Sequence, residues 1–504
     1  MSENLFTVLS RNFPTDRAKV FLTQPGHAPV SYADLLARSG KLANCLVDLG
    51  VAPGDRVAVH VEKSVDALIL YLAALRVGAI YLPLNPAYTV GELRHFLSDA
   101  EPRLVVCRPA SKEDVAQVAA ETGVAIVETL GERGGSLIDR AALQDIDFAD
   151  VSRASDDIAA ILYTSGTTGK SKGAMLTHGN LASNVEALLE AWQFTASDRL
   201  LHALPIFHTH GLFVATNLTL RSGSSMIFLP SFDADEILRL MPEATVLMGV
   251  PTFYTRLLAR PELNRELTAH MRLFISGSAP LSAEVHREFA ARTGHAILER
   301  YGMTETNMNT SNPYVGKRVP GSVGLPLPGV EVRIADLQSG APVARGEAGG
   351  IEIRGPNVFK GYWRMPEKTK EEFREDGFFK SGDVGYMDED GYVWIAGRSK
   401  DLIITGGLNV YPAEVEAVLD AIPGVAESAV IGAPHADFGE GVVAVVACRN
   451  GANLDEEAIQ AALRHQLARF KQPKRIFIVG DLPRNVMGKI QKNVLRERFG
   501  RTFE

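Results

Sequence analysis

A loop rich in glycine, hydroxyl and lysine residues lies between Tyr163 and Gly173 and could bind phosphate. The apolar run Ile158-Ala-Ala-Ile-Leu precedes it, so a strand should lead directly into Tyr163-Thr-Ser-Gly-Thr-Thr-Gly-Lys-Ser-Lys-Gly173. Glycines let backbone N–H groups converge on an anion, hydroxyls add donors, and Lys170 and Lys172 supply positive charge. The pattern predicts a phosphate-binding loop, with a flexible surface loop as the alternative.

This loop does not match the P-loop of many nucleotide-binding proteins. That motif, G-x-x-x-x-G-K-[ST], needs a glycine at position 164, where this chain has Thr164. We therefore expect a different class of phosphate site.

The elements that would position the loop alternate between helix and strand. Residues 32–49 have helical apolar spacing with Ser31 and Asp34 as an acidic capping box, and residues 56–61 and 103–107 are predicted strands around a helix at 64–77. The alternation returns at 245–250, 272–276 and 282–292. Such a pattern predicts a parallel sheet wrapped by helices.

The composition of the chain changes near residue 320, where glycine and proline become frequent. Short runs of alternating apolar and polar residues at 330–334 and 350–354 predict small antiparallel strands. Residues 396–401 are predicted to form a connector. Beyond it we predict a helix from Pro412 to about 421, strands at 425–431 and 442–447, and a helix at 455–467. The predicted fold class is α/β, with a large N-terminal domain (1–399) of layered αβ subdomains plus a β-rich part (about 320–399), and a small α+β C-terminal domain (400–504).

Composition excludes several functional classes. The chain has 504 residues and a formal charge of −8 at pH 7, so no overall positive field favours nucleic acid or an anionic membrane. Its most apolar run, residues 67–75, predicts a buried helix because it is far shorter than the roughly 20 residues that span a bilayer. The N-terminus lacks the pattern of a signal peptide, and three widely separated cysteines favour a reducing cytoplasm over disulfides or a zinc site.

Five segments together resemble the adenylate-forming superfamily, which includes acyl-CoA synthetases, peptide-synthetase adenylation domains and firefly luciferase. The phosphate loop is the first, and the others occur in the family's order across nearly the whole chain. They are Pro205-Ile-Phe-His-Thr-His-Gly211, Glu299-Arg-Tyr-Gly-Met-Thr-Glu-Thr306, Lys380-Ser-Gly-Asp383 with Gly397-Arg-Ser-Lys-Asp401, and Pro483-Arg-Asn-Val-Met-Gly-Lys489.

The resemblance implies an ATP-dependent acid:CoA ligase that makes an acyl-AMP intermediate. Lys489 would bridge the carboxylate and the α-phosphate as a catalytic residue, and Glu305 would hold Mg²⁺ together with Thr164. Thr304 and His208 complete the implied catalytic set, and Asp383 and Arg398 would bind the ribose. The bland alternatives are a solvated lysine at 489, a salt-bridged Glu305, a loop-capping Asp383 and a core Tyr301. The implied ATP-binding set is Thr164, Ser165, Gly166, Thr167, Thr168, Gly169, Lys170, Lys172, Ser278, Ala279, Pro280, Tyr301, Gly302, Met303, Thr304, Asp383, Arg398 and Lys489.

The same resemblance implies that the C-terminal domain is mobile. Lys400 falls at the family's hinge position, and a rotation there would remove Lys489 from the acyl carbonyl before a thiol approaches. Gly406, Gly407 and Leu408 would then line the CoA tunnel, although a plain hairpin turn also fits these residues.

Two arginines indicate which acid is used. The implied acyl pocket contains His208 and Ser276, together with Arg256 and Arg300. A buried arginine is costly without an anion, so the pair favours a short dicarboxylate, and the motifs most resemble those of malonyl-CoA synthetases, with methylmalonate as a second substrate. The alternatives are a surface position for Arg256 and a structural salt bridge for Arg300.

Rival functions share the first half-reaction. A carrier-directed adenylation enzyme is disfavoured because no carrier segment follows Lys489 before Glu504, and paired arginines suit a luciferin poorly. A catalytically dead nucleotide sensor is disfavoured by the intact Lys489, Glu305 and Asp383. The resemblance also implies that a protein lysine acetyltransferase could inactivate Lys489, while the oligomeric state cannot be predicted.

Overall fold

The computed structural model describes residues 3–132, 134–164, 171–405, 408–449, 451–452, 454–464, 466–485 and 488–503. Four sheets are formed within these ranges, two large and mainly parallel and two smaller. No helix there combines the length and apolarity that crossing a membrane requires.

The first large sheet carries the strand that leads into the phosphate loop. It has seven strands, and those between Ile158–Thr164 and Ile126–Thr129 run parallel, while Lys172–Thr177 returns antiparallel on Ile158–Thr164. In spatial order the strands are Gly361–Tyr362, Lys172–Thr177, Ile158–Thr164, Ile80–Pro83, Arg56–His60, Leu104–Cys107 and Ile126–Thr129.

The second large sheet brings together the other N-terminal motifs. Leu273–Ser276 lies between Val246–Gly249 and Leu298–Met303, parallel to both, so their carboxyl ends meet at one edge. The nine strands, in spatial order, are Leu325–Pro326, Asn307–Ser311, Leu298–Met303, Leu273–Ser276, Val246–Gly249, Arg199–His202, Ser225–Phe228, Val20–Thr23 and Val30–Ser31. One continuous apolar core joins the two large sheets, as predicted for layered αβ subdomains.

The predicted β-rich part is a four-stranded antiparallel sheet. Its strands follow the spatial order Glu331–Ala335, Gly349–Arg354, Phe379–Met387 and Val393–Arg398. The predicted connector at 396–401 is therefore the end of the last strand followed by the 3₁₀ turn Ser399–Asp401.

The C-terminal part has a five-stranded sheet with its own apolar cores. Alternate residues of Val425–His435 and Gly439–Cys448 enter two separate clusters, one on each face of the sheet. Ile403–Thr405 and Leu408–Val410 extend one edge, and Arg475–Val479 pairs parallel with Gly439–Cys448. The domain boundary at 399/400 and the hinge at Lys400 stay predictions.

The helices agree closely with the predicted periodicity. Ser31 and Asp34 form the predicted capping box, and the apolar run 67–75 is buried within its helix. The predicted helix at 455–467 is wrong in length, because it ends at Leu463 and Leu467 reaches the core from the following turn. The helices are Leu5–Leu9, Tyr32–Asp48, Val65–Val77, Val90–Ala100, Lys112–Thr122, Ser136–Ala142, His178–Ala191, Asn217–Ser222, Ala234–Leu240, Pro251–Leu258, Arg265–Thr268, Ala283–Thr293, Pro366–Glu372, Pro412–Asp420, Glu456–Leu463 and Lys492–Phe499, with a π-helix at His210–Thr216.

A partly buried carboxyl in the C-terminal part makes stability depend on pH. Burial raises the pKa of Asp420 to about 7, and the charges of Glu416 and Glu284 act in the same direction, although the Ser428 hydroxyl donates to Asp420 at 2.7 Å. The folded state thus favours the protonated carboxyl, and its contribution to stability is lost as pH rises from the unfolded value of about 4 towards 7.

We expect Asp420→Asn to stabilise the protein at pH 8 and to have little effect at pH 4, because it removes an ionisation that folding disfavours. The shift at pH 8 should be about 2–4 °C in the melting midpoint, the scale of a change of ~1 kcal/mol. Calorimetric melts at both pH values measure it, with the exposed Asp437→Asn as the matched control. A stabilisation of equal size at both pH values would contradict the assignment.

Candidate active site

The sequence motifs meet where parallel strands of the second large sheet end. The segment after Arg199–His202 carries His208 and His210, and the segment after Leu273–Ser276 carries Ser278. The Ser278 hydroxyl lies 3.2 Å from His210 Nδ1, which joins the two segments. Ligands of open α/β sheets bind at this edge, so the topology supports a site here.

Glu305 forms a buried acidic centre between the two large sheets. It lies in the turn between Leu298–Met303 and Asn307–Ser311, and its Oε1 accepts hydrogen bonds from the Tyr362 hydroxyl at 3.1 Å and the Thr164 hydroxyl at 3.4 Å. Burial raises the pKa of Glu305. The Lys172 ammonium lies nearby, 4.1 Å from the centre of the Tyr362 ring and 3.7 Å from Glu372.

A carboxylate and an oxygen donor fit Mg²⁺, which favours oxygen ligands and commonly takes few from the protein when phosphates supply the rest. No group of three His, Cys, Asp or Glu side chains that could hold a metal occurs in the described part of the chain. Glu305 and Thr164 together offer oxygen ligands that a metal with further phosphate ligands could use.

Asp383 and Arg398 form a cross-strand ion pair in the β-rich sheet. Their strands place them directly opposite each other, and Arg398 Nε lies 2.7 Å from Asp383 Oδ1. The Tyr301 hydroxyl donates to the other carboxylate oxygen. Tyr301 is thus both a packed core residue and a neighbour of Asp383, and burial followed by the Asp383 charge raises the pKa of its hydroxyl.

The Lys489 loop faces this ion pair from the C-terminal part. Protein atoms crowding its ammonium and the charge of Arg398 lower the pKa of Lys489, while Asp383 and Asp401 act in the opposite direction. The residue nevertheless keeps solvent access. Lys489 and Asp383, more than 100 positions apart in sequence, are therefore close enough to influence each other.

Local hydrogen bonds connect Gly488 and Lys489 to Arg484 and Asn485. The Lys489 N–H donates to Asn485 Oδ1 at 3.0 Å, its carbonyl accepts from the Asn485 N–H at 2.9 Å, and Arg484 Nη1 donates to the Gly488 carbonyl at 2.6 Å. Gly488 has a φ of +76°, which favours glycine, and a Cβ there would lie 3.0 Å from Thr252 Oγ1 of the N-terminal part. Both the turn and the close packing against Thr252 explain the glycine.

Arg300 is a buried arginine, and two of its guanidinium nitrogens have no hydrogen-bond partner in the part of the chain that the structure describes. It is 2% exposed on the strand Leu298–Met303, and its Nε and Nη2 have no hydrogen-bond partner among the described residues. Ser276, at the end of the adjacent parallel strand, is also fully buried with an unpartnered hydroxyl. Burial lowers the pKa of Arg300, but a guanidinium stays protonated at neutral pH, so its positive charge is buried without a carboxylate partner among the described residues.

Two histidines next to Arg300 are neutral at physiological pH. Burial lowers the pKa of His208 to about 4, and the charge of Arg300 adds to the effect. His210 is shifted in the same direction for the same first cause, and its Nε2 is unpartnered among the described residues. Neutral imidazoles add donors and acceptors to the pocket wall without adding charge.

The second predicted arginine does not share this environment. Arg256 is exposed on the helix Pro251–Leu258, whose residues Phe253 and Tyr254 face the core. Its charge acts on Arg484 in the C-terminal part. The argument that a closed pocket buries both arginines is therefore wrong for Arg256 and holds for Arg300 alone, because only Arg300 falls on an inward-facing strand position.

The remaining predicted residues divide into two groups. Ala279, Pro280, Gly302, Met303 and Thr304 lie on the segments already described, beside Ser278 and Glu305, and Lys400 is exposed in the 3₁₀ turn after Arg398. Leu408 is half exposed at a strand start. Eight predicted residues lie outside the described ranges, namely Ser165, Gly166, Thr167, Thr168, Gly169, Lys170, Gly406 and Gly407.

Of three further residues that shape the site, sequence reasoning missed Tyr362 and included Tyr254 and Gly277 only as members of longer segments. Tyr362 binds Glu305 from a strand about 60 positions away, Tyr254 packs near Arg300, and Gly277 lies against the Arg300 guanidinium. Tyr362 stands in a segment without a local signal for this role. The resemblance to the adenylate-forming superfamily implies that residues 248–256, which include Tyr254, border the acyl pocket, and that the run Gly277-Ser-Ala-Pro280 lies against the adenine.

Comparison with known protein families accounts for this arrangement. The AMP-binding enzyme family matches residues 8–363, and the AMP-binding enzyme C-terminal domain matches residues 414–489. This chain belongs to the AMP-binding enzyme family. Its members that ligate acids use ATP, with Mg²⁺, and CoA, which confirms the predicted co-substrates.

Similar proteins within the AMP-binding family include ligases of different acids. The malonate–CoA ligase of Arabidopsis thaliana is 37% identical over 481 residues, covering 89% of this chain and 78% of that protein. The feruloyl-CoA synthase of an Amycolatopsis species is 39% identical over 480 residues, covering 94% and 95%. The crystal structure of ATP-bound MatB from Rhodopseudomonas palustris is 61% identical and covers 100% of both chains with a TM-score of 0.98. The predicted fold class, a large N-terminal and a small C-terminal domain, is thereby confirmed.

Proposed function

We propose that this protein is an AMP-forming ligase that joins malonate to CoA at the expense of ATP. The observation that carries the choice of acid is Arg300, a buried guanidinium with two nitrogens that have no hydrogen-bond partner among the described residues. An acid with one carboxylate uses it in the reaction and leaves Arg300 unbalanced. A second, non-reacting carboxylate would balance it.

In the first half-reaction, one carboxylate oxygen of malonate attacks the α-phosphorus of ATP and pyrophosphate leaves. The reacting groups are both anionic, so the barrier falls when positive charge lies between them. Lys489 would supply that charge from the C-terminal part, where the charges of Asp383 and Arg398 act on its ammonium. Mg²⁺ bound with the triphosphate, held at Glu305 and Thr164, would add charge neutralisation on the phosphate side.

The nucleoside would be held by the β-rich sheet. Asp383 is already fixed by Arg398 and Tyr301, and its two oxygens have lone pairs to spare for ribose hydroxyls. The Ser278–Pro280 segment and Tyr301 would contact the adenine, and the phosphate loop with Lys170 and Lys172 would bind the phosphates.

In the second half-reaction, the CoA thiol attacks the malonyl carbonyl and AMP leaves. Lys489 and the thiol need the same space, so the C-terminal domain must move between the two steps. We place the hinge at Lys400, which is exposed in a short turn after the last strand of the β-rich sheet. Gly406, Gly407 and Leu408 would then border the path of the CoA arm.

The nature of similar proteins supports malonate as the acid. One is a malonate–CoA ligase at 37% identity, and the MatB structure matches the full chain at 61% identity. The feruloyl-CoA synthase at 39% identity shows that overall similarity alone does not fix the acid. Arg300 is therefore the deciding residue, and methylmalonate, which keeps both carboxylates, is the natural second substrate.

Two further proposals concern the protein's surroundings. Lys489 has solvent access, so a protein lysine acetyltransferase could reach it, and acetylation would abolish the charge on which the first step depends. The cysteines Cys45, Cys107 and Cys448 are all free thiols, which suits a reducing cytoplasm.

The proposal is tested by pyrophosphate release across acetate, malonate, methylmalonate, succinate and a medium-chain fatty acid. We expect kcat/KM for malonate to exceed that for acetate by about 10- to 100-fold, the range for a hydrogen bond to a charged group. Succinate should be poor, because an extra methylene moves one carboxylate away from Arg300. A preference for acetate or the fatty acid over malonate would refute the proposed acid.

A further inference from the structure

Gly277 lies directly against the guanidinium of Arg300. A Cβ built on Gly277 would lie 2.5 Å from Arg300 Cζ and 2.6 Å from both Nε and Nη1. The three nearest atoms therefore all belong to one functional group. Because the backbone of Gly277 does not have a positive φ, alanine could adopt this backbone conformation. Lack of space is what favours glycine here.

The guanidinium has little room to move aside. Arg300 is 2% exposed, its strand is fixed by Asn307–Ser311 on one side and Leu273–Ser276 on the other, and the buried Tyr254 lies close by. The charge of Arg300 also lowers the pKa of His208 and His210, which lie on the segment after the strand Arg199–His202. A contact below 3 Å with alanine must therefore displace the charged end of Arg300 within the pocket rather than into solvent.

We infer that Gly277 is a positioning residue that sets selectivity for a second carboxylate, because its missing side chain leaves the space in which the Arg300 guanidinium lies. The inference rests on the proposed function, in which Arg300 meets the non-reacting carboxylate. A side chain at 277 would move the guanidinium away from that carboxylate without touching the carboxylate that reacts. Selectivity between dicarboxylic and monocarboxylic acids would fall while the chemical step is kept.

The test is Gly277→Ala assayed with malonate and with propionate at saturating ATP. We expect KM for malonate to rise so that kcat/KM falls about 10- to 100-fold, the scale for a misplacement near 1 Å. The value of kcat/KM for propionate and the KM for ATP should both stay within about twofold of wild type. Gly432→Ala is the matched control, because a Cβ at Gly432 in the C-terminal sheet would crowd the end of the charged Glu440 side chain at 2.7 Å, away from the site.

A double variant separates crowding of Arg300 from a general effect on the loop. Lysine lacks the planar guanidinium, so adding Gly277→Ala to Arg300→Lys should cause no further loss on malonate beyond about twofold. The same additional loss in both backgrounds, an equal loss on both acids, a raised KM for ATP with either acid, or unchanged malonate selectivity would each overturn the inference.

A failure to fold, a failure of the inference and a failure of the proposed function give different results. If Gly277→Ala fails to fold but the double variant folds, the crowding is with the guanidinium and the inference is supported. If both fail to fold, the crowding lies elsewhere and the inference is overturned. Retention of malonate selectivity by Arg300→Met would refute the role that the proposed function gives to Arg300, whereas its loss there combined with its retention in Gly277→Ala would refute only the role of Gly277.

Discussion

Replacing Lys489 by alanine is expected to slow malonyl-AMP formation by about 10²- to 10³-fold, the usual cost of removing one group that stabilises developing charge. The reason is electrostatic, because Lys489 is the cation that the C-terminal part presents beside Asp383 and Arg398. ATP–pyrophosphate exchange with malonate measures this step alone. Thioester formation from supplied malonyl-AMP should persist, since Lys489 must leave the carbonyl before the thiol attacks.

Lys492→Ala provides the matched control for Lys489→Ala. Lys492 lies on the next helix of the same domain and pairs with Glu416 at 2.6 Å. Its replacement therefore removes a lysine of equal charge whose partner is a different carboxylate. It should leave the exchange rate within about twofold of wild type. A wild-type exchange rate in Lys489→Ala would show that another group neutralises the reacting anions and would refute the mechanism.

Replacing Arg300 by methionine is expected to lower kcat/KM for malonate by about 10²-fold or more, in line with truncating one partner of a buried charge pair. Activity with propionate should be retained or should increase, because an unbalanced buried charge is replaced by an apolar side chain of similar length. Steady-state pyrophosphate release with both acids gives the ratio directly. The expected result is that the variant prefers propionate to malonate, and the size of the loss of activity on malonate is secondary.

Arg256→Met is the informative comparison for Arg300→Met. Arg256 is exposed, so its contribution to binding malonate is screened by solvent and should be smaller than that of Arg300. A larger loss of malonate selectivity in Arg256→Met than in Arg300→Met would show that the second carboxylate binds near Arg256, at the domain interface. Equal losses on malonate and propionate in Arg300→Met would instead make Arg300 a structural residue.

Local signals predicted much of the fold. The capping box at Ser31 and Asp34 and the apolar run at 67–75 depend on contacts within one element, so both could be recognised from the chain alone. The helix after Asp455 was predicted too long, since a buried leucine at 467 has the same spacing whether it lies on a helix or on the following turn. Burial identifies an inward-facing residue, but not the backbone that carries it.

Motif recognition predicted the candidate site less evenly. It identified Asp383, Arg398 and Lys489, which lie close to one another, and Glu305 with Thr164, which are hydrogen-bonded. It could not separate Arg256 from Arg300, because both are arginines beside apolar residues in their segments. Nor could it find Tyr362, whose link to Glu305 depends on how the strand Gly361–Tyr362 joins the first large sheet.

The sequence by itself determined the family and the reaction class, because the types and order of residues in the five motifs resemble those of AMP-forming acid–CoA ligases. Only the tertiary structure decided which arginine is buried with guanidinium nitrogens that no described residue binds, and that Gly277 leaves the space for it. The physical reason is that desolvation of a charge depends on every segment packed around it. For Arg300 those segments include residues 208–210, 254 and 276–277, which come together only when the sheet has formed.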